Sequence, residues 1–213
     1  MSRIFFSLGV LALLMMVATM SIGIYLDGYK ARLVEMATEI KNLQGQGSSA
    51  ANHPQTAGKL SQTRASLAEL VGWFRVHMLL GVGTSLTIIL VNCVAVTYFV
   101  GTGRWCREVV ETYQLEPALA AQSQRLKRRS FPWATLGIVT ALSISALGAA
   151  ADPGNTVTTA EWWITPHLVA ALAGFLLIAV AFYIQWANIG EHHGVIDEIV
   201  ARVQAIRRQR GLD

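Results

Sequence analysis

Four apolar blocks constrain the fold of this chain more than any other feature of its sequence. They cover residues 4–26, 76–100, 131–151 and 164–186, and none of them contains Asp, Glu, Lys or Arg. A helix that crosses a hydrocarbon core of about 30 Å needs roughly 20 apolar residues. Charged residues make up 14% of the chain, whereas soluble domains carry about 25%. The pattern predicts four membrane-spanning helices and excludes a soluble globular fold.

The positions of the basic residues predict an orientation. Residues 101–130 and the tail, 187–213, are rich in Lys and Arg, whereas the segment between the third and fourth blocks has neither. Lysine and arginine are retained on the cytoplasmic side of bacterial membranes. We therefore expect a multi-pass protein of the bacterial inner membrane. The loop 101–130, the helical tail 187–213 and both termini are predicted to be cytoplasmic.

A basic run, Lys127, Arg128 and Arg129, directly precedes the third block. Juxtamembrane basic clusters attract the anionic headgroups of the cytoplasmic leaflet. We predict that this run contacts anionic lipid headgroups and helps to set the topology. Nucleic acid is not predicted as a partner.

Residues 27–72 are predicted to form a helical hairpin outside the membrane. A flexible run of Gly, Gln and Ser divides this segment at residues 45–49. Apolar residues recur at helical spacing on both sides of it. This apolar stripe consists of Tyr29, Leu33, Met36, Ile40 and Leu43, then Leu60, Leu67, Leu70 and Phe74. Two interpretations stay open: the stripe closes the hairpin, or it docks a partner subunit or senses a signal.

On the cytoplasmic side, short amphipathic helices at 107–113 and 196–206 are expected to extend the second and fourth spans.

The two halves of the chain share a short pattern. A Trp precedes a His by four residues at the start of the second block and again at the start of the fourth. An Asp-Gly or Asp-Pro-Gly turn follows the first and third blocks. The residues concerned are Asp27, Trp73 and His77 in one half, and Asp152, Trp163 and His167 in the other. This pattern predicts a duplicated helical hairpin, as in membrane proteins built from parallel repeats.

The histidines of this pattern, His77 and His167, are the side chains inside the blocks that titrate near neutral pH, and such residues suggest a functional site. Gly81 and Gly174 lie below them on the same helix faces and could leave a slot for a flat macrocycle. Axial imidazoles from two helices are a common way to hold haem. A single haem b is thus one hypothesis, with both histidines as iron ligands and Arg75 near a propionate. A quinone or proton-handling role and a purely structural role are the alternatives.

The remaining polar residues carry weaker signals. His192 and His193 lack the spacing of a metalloprotease helix and are expected on a solvated helix surface. Cys93 and Cys106 are separated by about 20 Å along one predicted helix, too far for a disulfide.

Three segments carry a family resemblance: residues 101–111 (GTGRWCREVVE), 126–129 (LKRR) and 150–154 (AADPG). They are similar to an uncharacterised family of four-span membrane proteins of planctomycete-type bacteria, which implies no activity and no site residues. The layout of four helices with paired histidines is also similar to b-type membrane cytochromes. The single histidine pair departs from the two-haem pattern of many of these.

The sequence thus predicts an all-α integral membrane four-helix bundle, one membrane domain over residues 1–213, with an extramembrane helical hairpin. The expected function is that of a non-catalytic partner-binding or structural subunit, associated with other membrane subunits or with a second copy. The alternative is an electron-transfer subunit with one haem near the outer face. The chain has no hydrolase or transferase motif, and enzymatic activity is left open.

Overall fold

The computed structural model describes residues 2–27, 35–36, 38–42, 54–152 and 160–211. Every regular element in these ranges is helical. Four long helices are present: α1 (Ser2–Asp27), α2 (Pro54–Thr112), α3 (Pro117–Ala150) and α4 (Ile164–Gln209). A short 3-10 helix, Ala160–Trp163, leads into α4. The all-α prediction is confirmed for the part of the chain that the structure describes.

Each of the four helices is long and apolar enough to cross a membrane. Two of them are much longer than one crossing requires, because α2 has 59 residues and α4 has 46. The short helices predicted at 107–113 and 196–206 are the continuations of α2 and α4. The predicted loop 101–130 is itself almost entirely helical, because α3 begins at Pro117. The outer segment, 27–72, is helical at 54–72 as the start of α2, while Tyr29, Leu33 and Leu43 of the stripe lie outside the described residues.

The reversal from α2 to α3 takes only a few residues. The Leu115 N–H donates to the Val110 carbonyl at 2.9 Å, and the Gln114 N–H donates to the Glu111 carbonyl at 3.4 Å. Gln114 has a φ of 53°, so this is a helix end with one left-handed residue. Pro117 then supplies a φ that suits the first turn of α3.

The chain divides into two compact units, and α1 and α2 each contribute to both. The larger unit contains Met1–Leu14 and Ser85–Asp213, and the smaller unit contains Met15–Thr84. The larger unit is a helical bundle in which α3 packs along α4. The start of α1 also belongs to it, with the Phe5 ring edge-on to Phe182 and Gly9 beside the same ring.

Buried residues of α4 recur at alternating steps of three and four. Nine of the eleven follow this pattern: Ala171, Gly174, Ile178, Ala181, Gln185, Asn188, His192, Val195 and Ile199, while Phe182 and Ile189 lie beside it. A period of 3.5 residues is the seam of left-handed, coiled-coil-like packing. The seam continues past residue 186, so the core of the bundle extends well beyond the fourth apolar block.

The smaller unit joins the second half of α1 to the first part of α2. The Thr19 hydroxyl lies 3.1 Å from the Thr84 hydroxyl, and Gly83 lies beside the Met15 methyl. Residues 35–36 and 38–42 are helical and belong to the same unit. Hydroxyls and small residues are common at the contacts between helices in apolar surroundings.

Candidate functional site

The imidazole of His77 is inserted into the contact between α2 and α1 in the smaller unit. Its Nδ1 lies 3.1 Å from the backbone carbonyl oxygen of Thr19. A carbonyl only accepts, so Nδ1 carries the proton in this contact. The ring also faces Gly23 so closely that a Cβ there would lie 2.9 Å from Cε1. His77 therefore joins the two helices of its hairpin.

His167 has a similar environment in the larger unit. The backbone carbonyl of Ile144 interacts with its ring, and a Cβ at Gly148 would lie 3.0 Å from Cε1. The register is also the same, because Thr19 precedes Gly23 by four residues, as Ile144 precedes Gly148. Each histidine thus lies against a glycine of a neighbouring helix, and the backbone carbonyl one turn before that glycine interacts with the ring.

The two glycines predicted to leave space for a macrocycle lie in close helix contacts. At Gly81, a Cβ would meet the Thr19 methyl at 3.7 Å. At Gly174, it would meet Ile144 Cδ1 at 2.5 Å and Thr140 Cγ2 at 2.9 Å. The space beside Gly174 is therefore taken by Thr140 and Ile144, whereas at Gly81 the Thr19 methyl lies at ordinary contact distance.

The structure also shows where Arg75 lies and whether metal-ligating side chains cluster. Arg75 is exposed on α2. No group of three or more His, Cys, Asp or Glu side chains within the described ranges is arranged to hold a metal ion. The hypothesis of metal ligation therefore depends on His77 and His167 alone.

His192 was expected on a solvated surface, and this expectation is wrong. The side chain is completely buried, because it continues the three-four seam of α4. Nε2 lies 2.8 Å from the Ser123 hydroxyl, and Nδ1 lies 3.1 Å from the Tyr98 hydroxyl. His193 is exposed, as expected, and pairs with Asp197 at 2.9 Å.

Two further polar layers adjoin His192 along the same seam. Asn188 donates to the Ser130 hydroxyl at 2.9 Å. Gln185 donates to Asn92 Oδ1 at 3.0 Å, and Asn92 donates to a carbonyl of its own helix. Gly137 makes room for this pair, because a Cβ there would lie 2.9 Å from the Asn92 side-chain nitrogen. The three layers tie α4 to α2 and α3 through directional contacts, which specify register more strictly than apolar packing does.

Burial disfavours charge in the His192 layer. His192 lies beyond the fourth apolar block, and burial, with a smaller contribution from His193, lowers its pKa. Burial also raises the pKa of the Cys106 thiol, which lies within hydrogen-bonding reach of Ser123. A serine next to a histidine is the arrangement of an activated nucleophile, but both side chains are fully buried. In this conformation the hydroxyl is out of reach of a substrate, and the layer serves helix packing.

An acidic groove lies on the smaller unit. Its volume is about 450 Å³, and it is lined by Tyr25, Glu35, Met36, Glu39, Ser66, Glu69, Leu70 and Trp73. The Tyr25 and Trp73 rings meet edge-on, with centroids 6.4 Å apart. Met36 and Leu70 belong to the predicted apolar stripe. Part of this stripe therefore faces an open groove whose lining includes three glutamates.

The basic run before the third block lies on α3. Arg128 and Arg129 are exposed, and the Lys127 ammonium lies 5.4 Å from the centre of the Phe131 ring. This is the distance of a cation–π contact, which turns Lys127 toward the apolar side of the helix.

Comparison with protein-family models, with curated proteins and with solved structures gives no match to this chain. No activity is therefore carried over from a relative. The function proposed below rests on the side chains of the chain itself.

Proposed function

We propose that this chain is a non-catalytic integral membrane subunit of the bacterial inner membrane that binds a partner through the acidic groove. The membrane assignment is supported by the apolar surface of the helices. Only 17% to 28% of the most apolar window of each helix is buried. Contiguous apolar surface of this extent is rare on soluble proteins, and lipid would cover it. The distribution of basic residues supports cytoplasmic termini and an outer location for residues 27–72.

The observation that carries partner binding is the composition of the acidic groove. Trp73 and Tyr25 are 42% and 52% exposed, and aromatic side chains dominate the binding energy of protein interfaces. Met36 and Leu70 supply aliphatic surface beside them, and three glutamates add negative charge. Such a groove suits a segment with both apolar and basic side chains. The partner is another membrane subunit or a second copy of this chain.

Site-specific photocrosslinking in intact cells tests this proposal. A photoreactive amino acid at Leu70 is expected to give one crosslinked species. The same amino acid at Gly58, which has nothing within 4 Å, serves as the position control and is expected to give none. The mass of the adduct distinguishes a second copy from another subunit.

Two charge variants refine the crosslinking experiment. Glu69→Gln removes a carboxylate from the groove and is expected to weaken the crosslink at Leu70. Ala68→Lys makes the same net charge change at a neighbouring exposed position that does not line the groove, and it is expected to leave the crosslink intact. No species at Leu70, or equal losses in both variants, contradicts partner binding at this groove.

The polar core favours a structural role over a catalytic one. The imidazole of His77 bonds to a carbonyl of α1, His167 packs against Gly148 of α3, and His192 is enclosed between hydroxyls. These contacts hold helices together and suit a rigid scaffold. Contact of Lys127, Arg128 and Arg129 with anionic headgroups belongs to the same proposal.

A second candidate is the electron-transfer subunit with one haem b. One observation favours it: metal-ligating histidines usually donate their other ring N–H to a carbonyl or carboxylate, and His77 makes such a contact with Thr19. It requires Thr140 and Ile144 to leave the space at Gly174. A reduced-minus-oxidised absorption spectrum of the purified protein tests it. A b-type band that disappears in both His77→Ala and His167→Ala supports the cytochrome, and a colourless protein from haem-replete cells contradicts it.

A further inference from the structure

One face of α3 carries a shallow, nearly flat depression that begins in the basic run. Its volume is about 640 Å³, and it is lined by Arg128, Phe131, Pro132, Thr135, Leu136 and Val139. We refer to it as the α3 groove. Arg128 is the single charged residue of this lining, and it lies at one end. The rest of the lining is apolar apart from the Thr135 hydroxyl, and Leu136 and Val139 are 39% and 52% exposed.

The length of the α3 groove matches one leaflet of a bilayer. Eleven residues separate Arg128 from Val139, which is about 16 Å along a helix. Half of a hydrocarbon core is about 15 Å. The third apolar block begins at Phe131, so Arg128 falls at headgroup level when this block crosses the membrane. The groove would then run from the cytoplasmic headgroups to the middle of the bilayer.

The charge at the open end of the groove is strongly positive. Arg125, Lys127, Arg128 and Arg129 lie within one and a half turns of α3. The ion pairs found within the described ranges involve Arg104, His193 and Arg202, and none of these four cations. The Arg128 guanidinium is therefore available to a phosphate, which it can bind through two parallel hydrogen bonds.

We infer that the α3 groove binds one anionic phospholipid, with its phosphate on Arg128 and one acyl chain along Pro132, Leu136 and Val139. The inference rests on the proposed membrane location and narrows the general headgroup contact of the basic run to a single site. The inference assigns the phosphate to Arg128 and not to its neighbour Arg129, which is also charged and exposed but does not line the groove.

Native mass spectrometry of the full chain in a neutral detergent tests lipid selectivity without any mutation. Phosphatidylglycerol and phosphatidylcholine with identical acyl chains are added in turn. One phosphatidylglycerol is expected to remain bound at concentrations where phosphatidylcholine is lost. Equal retention of the two lipids overturns the inference. Displacement of phosphatidylglycerol by millimolar inorganic phosphate also overturns it, because the site would then recognise free phosphate.

Matched variants test the position of the site. Arg128→Gln is expected to bind phosphatidylglycerol about tenfold more weakly, since hydrogen bonds to a charged group are lost. Arg129→Gln makes the same charge change and is expected to stay within about twofold of the unmodified chain. Val139→Trp fills the far end of the groove and is expected to reduce binding of the two-chain lipid. Equal losses in the two arginine variants overturn the inference in favour of diffuse attraction.

Extraction of cell membranes with alkaline carbonate separates this inference from the proposed function. If the chain is released from the membranes, the membrane location fails. If it stays in them and phosphatidylglycerol is not selected, only the lipid site fails.

Discussion

His77 and Gly23 are in such close contact that the glycine has no room for a methyl group. A Cβ at this position would lie 2.9 Å from His77 Cε1, and the ring is held in place by its hydrogen bond to Thr19. We predict that Gly23→Ala lowers the free energy of unfolding by about 1–3 kcal/mol, the usual effect of overpacking a filled site. Thermal unfolding in detergent, followed by circular dichroism, measures this change.

Gly72→Ala is the matched control, because nothing lies within 4 Å of the position. Alanine is a better helix former than glycine by about 1 kcal/mol, so this variant is expected to be slightly more stable. The double variant Gly23→Ala/His77→Ala tests the contact itself. Removal of the ring should relieve most of the alanine clash, and strictly additive effects would contradict the packing role of His77.

The buried pair formed by Asn92 and Gln185 leads to a second prediction. Gln185→Leu leaves Asn92 Oδ1 without the donor that it has at 3.0 Å. The substitution also removes Gln185 Oε1, a buried acceptor that has no hydrogen-bond partner among the described residues. The expected net loss is therefore that of one hydrogen bond, about 0.5–1.5 kcal/mol, and thermal unfolding measures it. The double variant Asn92→Leu/Gln185→Leu removes both partners and is expected to be more stable than Gln185→Leu alone. A double variant that is less stable than either single variant would contradict this account.

A third prediction concerns pH and His192. Burial lowers the pKa of this imidazole below its ordinary value of about 6.5, so the folded state favours the neutral ring. Below pH 6.5 the unfolded chain takes up this proton more readily than the folded chain does. The free energy of unfolding therefore decreases as the pH is lowered, until the pH reaches the folded-state pKa of His192. We expect the unfolding temperature to decrease between pH 7.5 and pH 5.

Two histidine variants test whether His192 is the source of this pH dependence. His192→Gln should flatten the profile, while His193→Gln should preserve it, because His193 is exposed and pairs with Asp197. On α2, Tyr98 is hydrogen-bonded to His192, and Cys106 interacts with Ser123 of the same layer. Burial raises the pKa of the Cys106 thiol, so this group stays protonated throughout the window. The same slope in both histidine variants would exclude His192 as its source.

The sequence predicts the apolar part of this fold well. The four blocks correspond to four long helices, and the repeat pointed to two histidines that each lie against a glycine of a neighbouring helix. These features are visible because long uncharged runs and a Trp-His spacing are local signals. The start of α3 at Pro117 was missed, since residues 117–130 are rich in Ala, Ser, Gln and Arg and resemble a polar loop.

The buried polar seam was also missed, for a different physical reason. His192 stands between Glu191 and His193, and this local composition indicates a solvated surface. Its burial follows from the steps of three and four that connect Gln185 and Asn188 to it and continue to Val195. That periodicity is present in the sequence, but a search that counts only apolar residues does not detect it, because several of the seam positions are polar. Their hydrogen-bond partners lie on other helices and become evident only with the fold.

The native cysteines provide a direct test of the membrane location. Cys93 is exposed on α2 within the second apolar block, whereas Cys106 is buried. Maleimides react with thiolates in water, and lipid around Cys93 would keep both reagent and hydroxide away. We predict no labelling of intact membranes by a water-soluble maleimide, and labelling of both cysteines after unfolding in dodecyl sulfate. Rapid labelling of Cys93 in intact membranes would contradict a membrane-embedded α2. Arg64→Cys, at an exposed position before this block, is the positive control and should react from outside the cell.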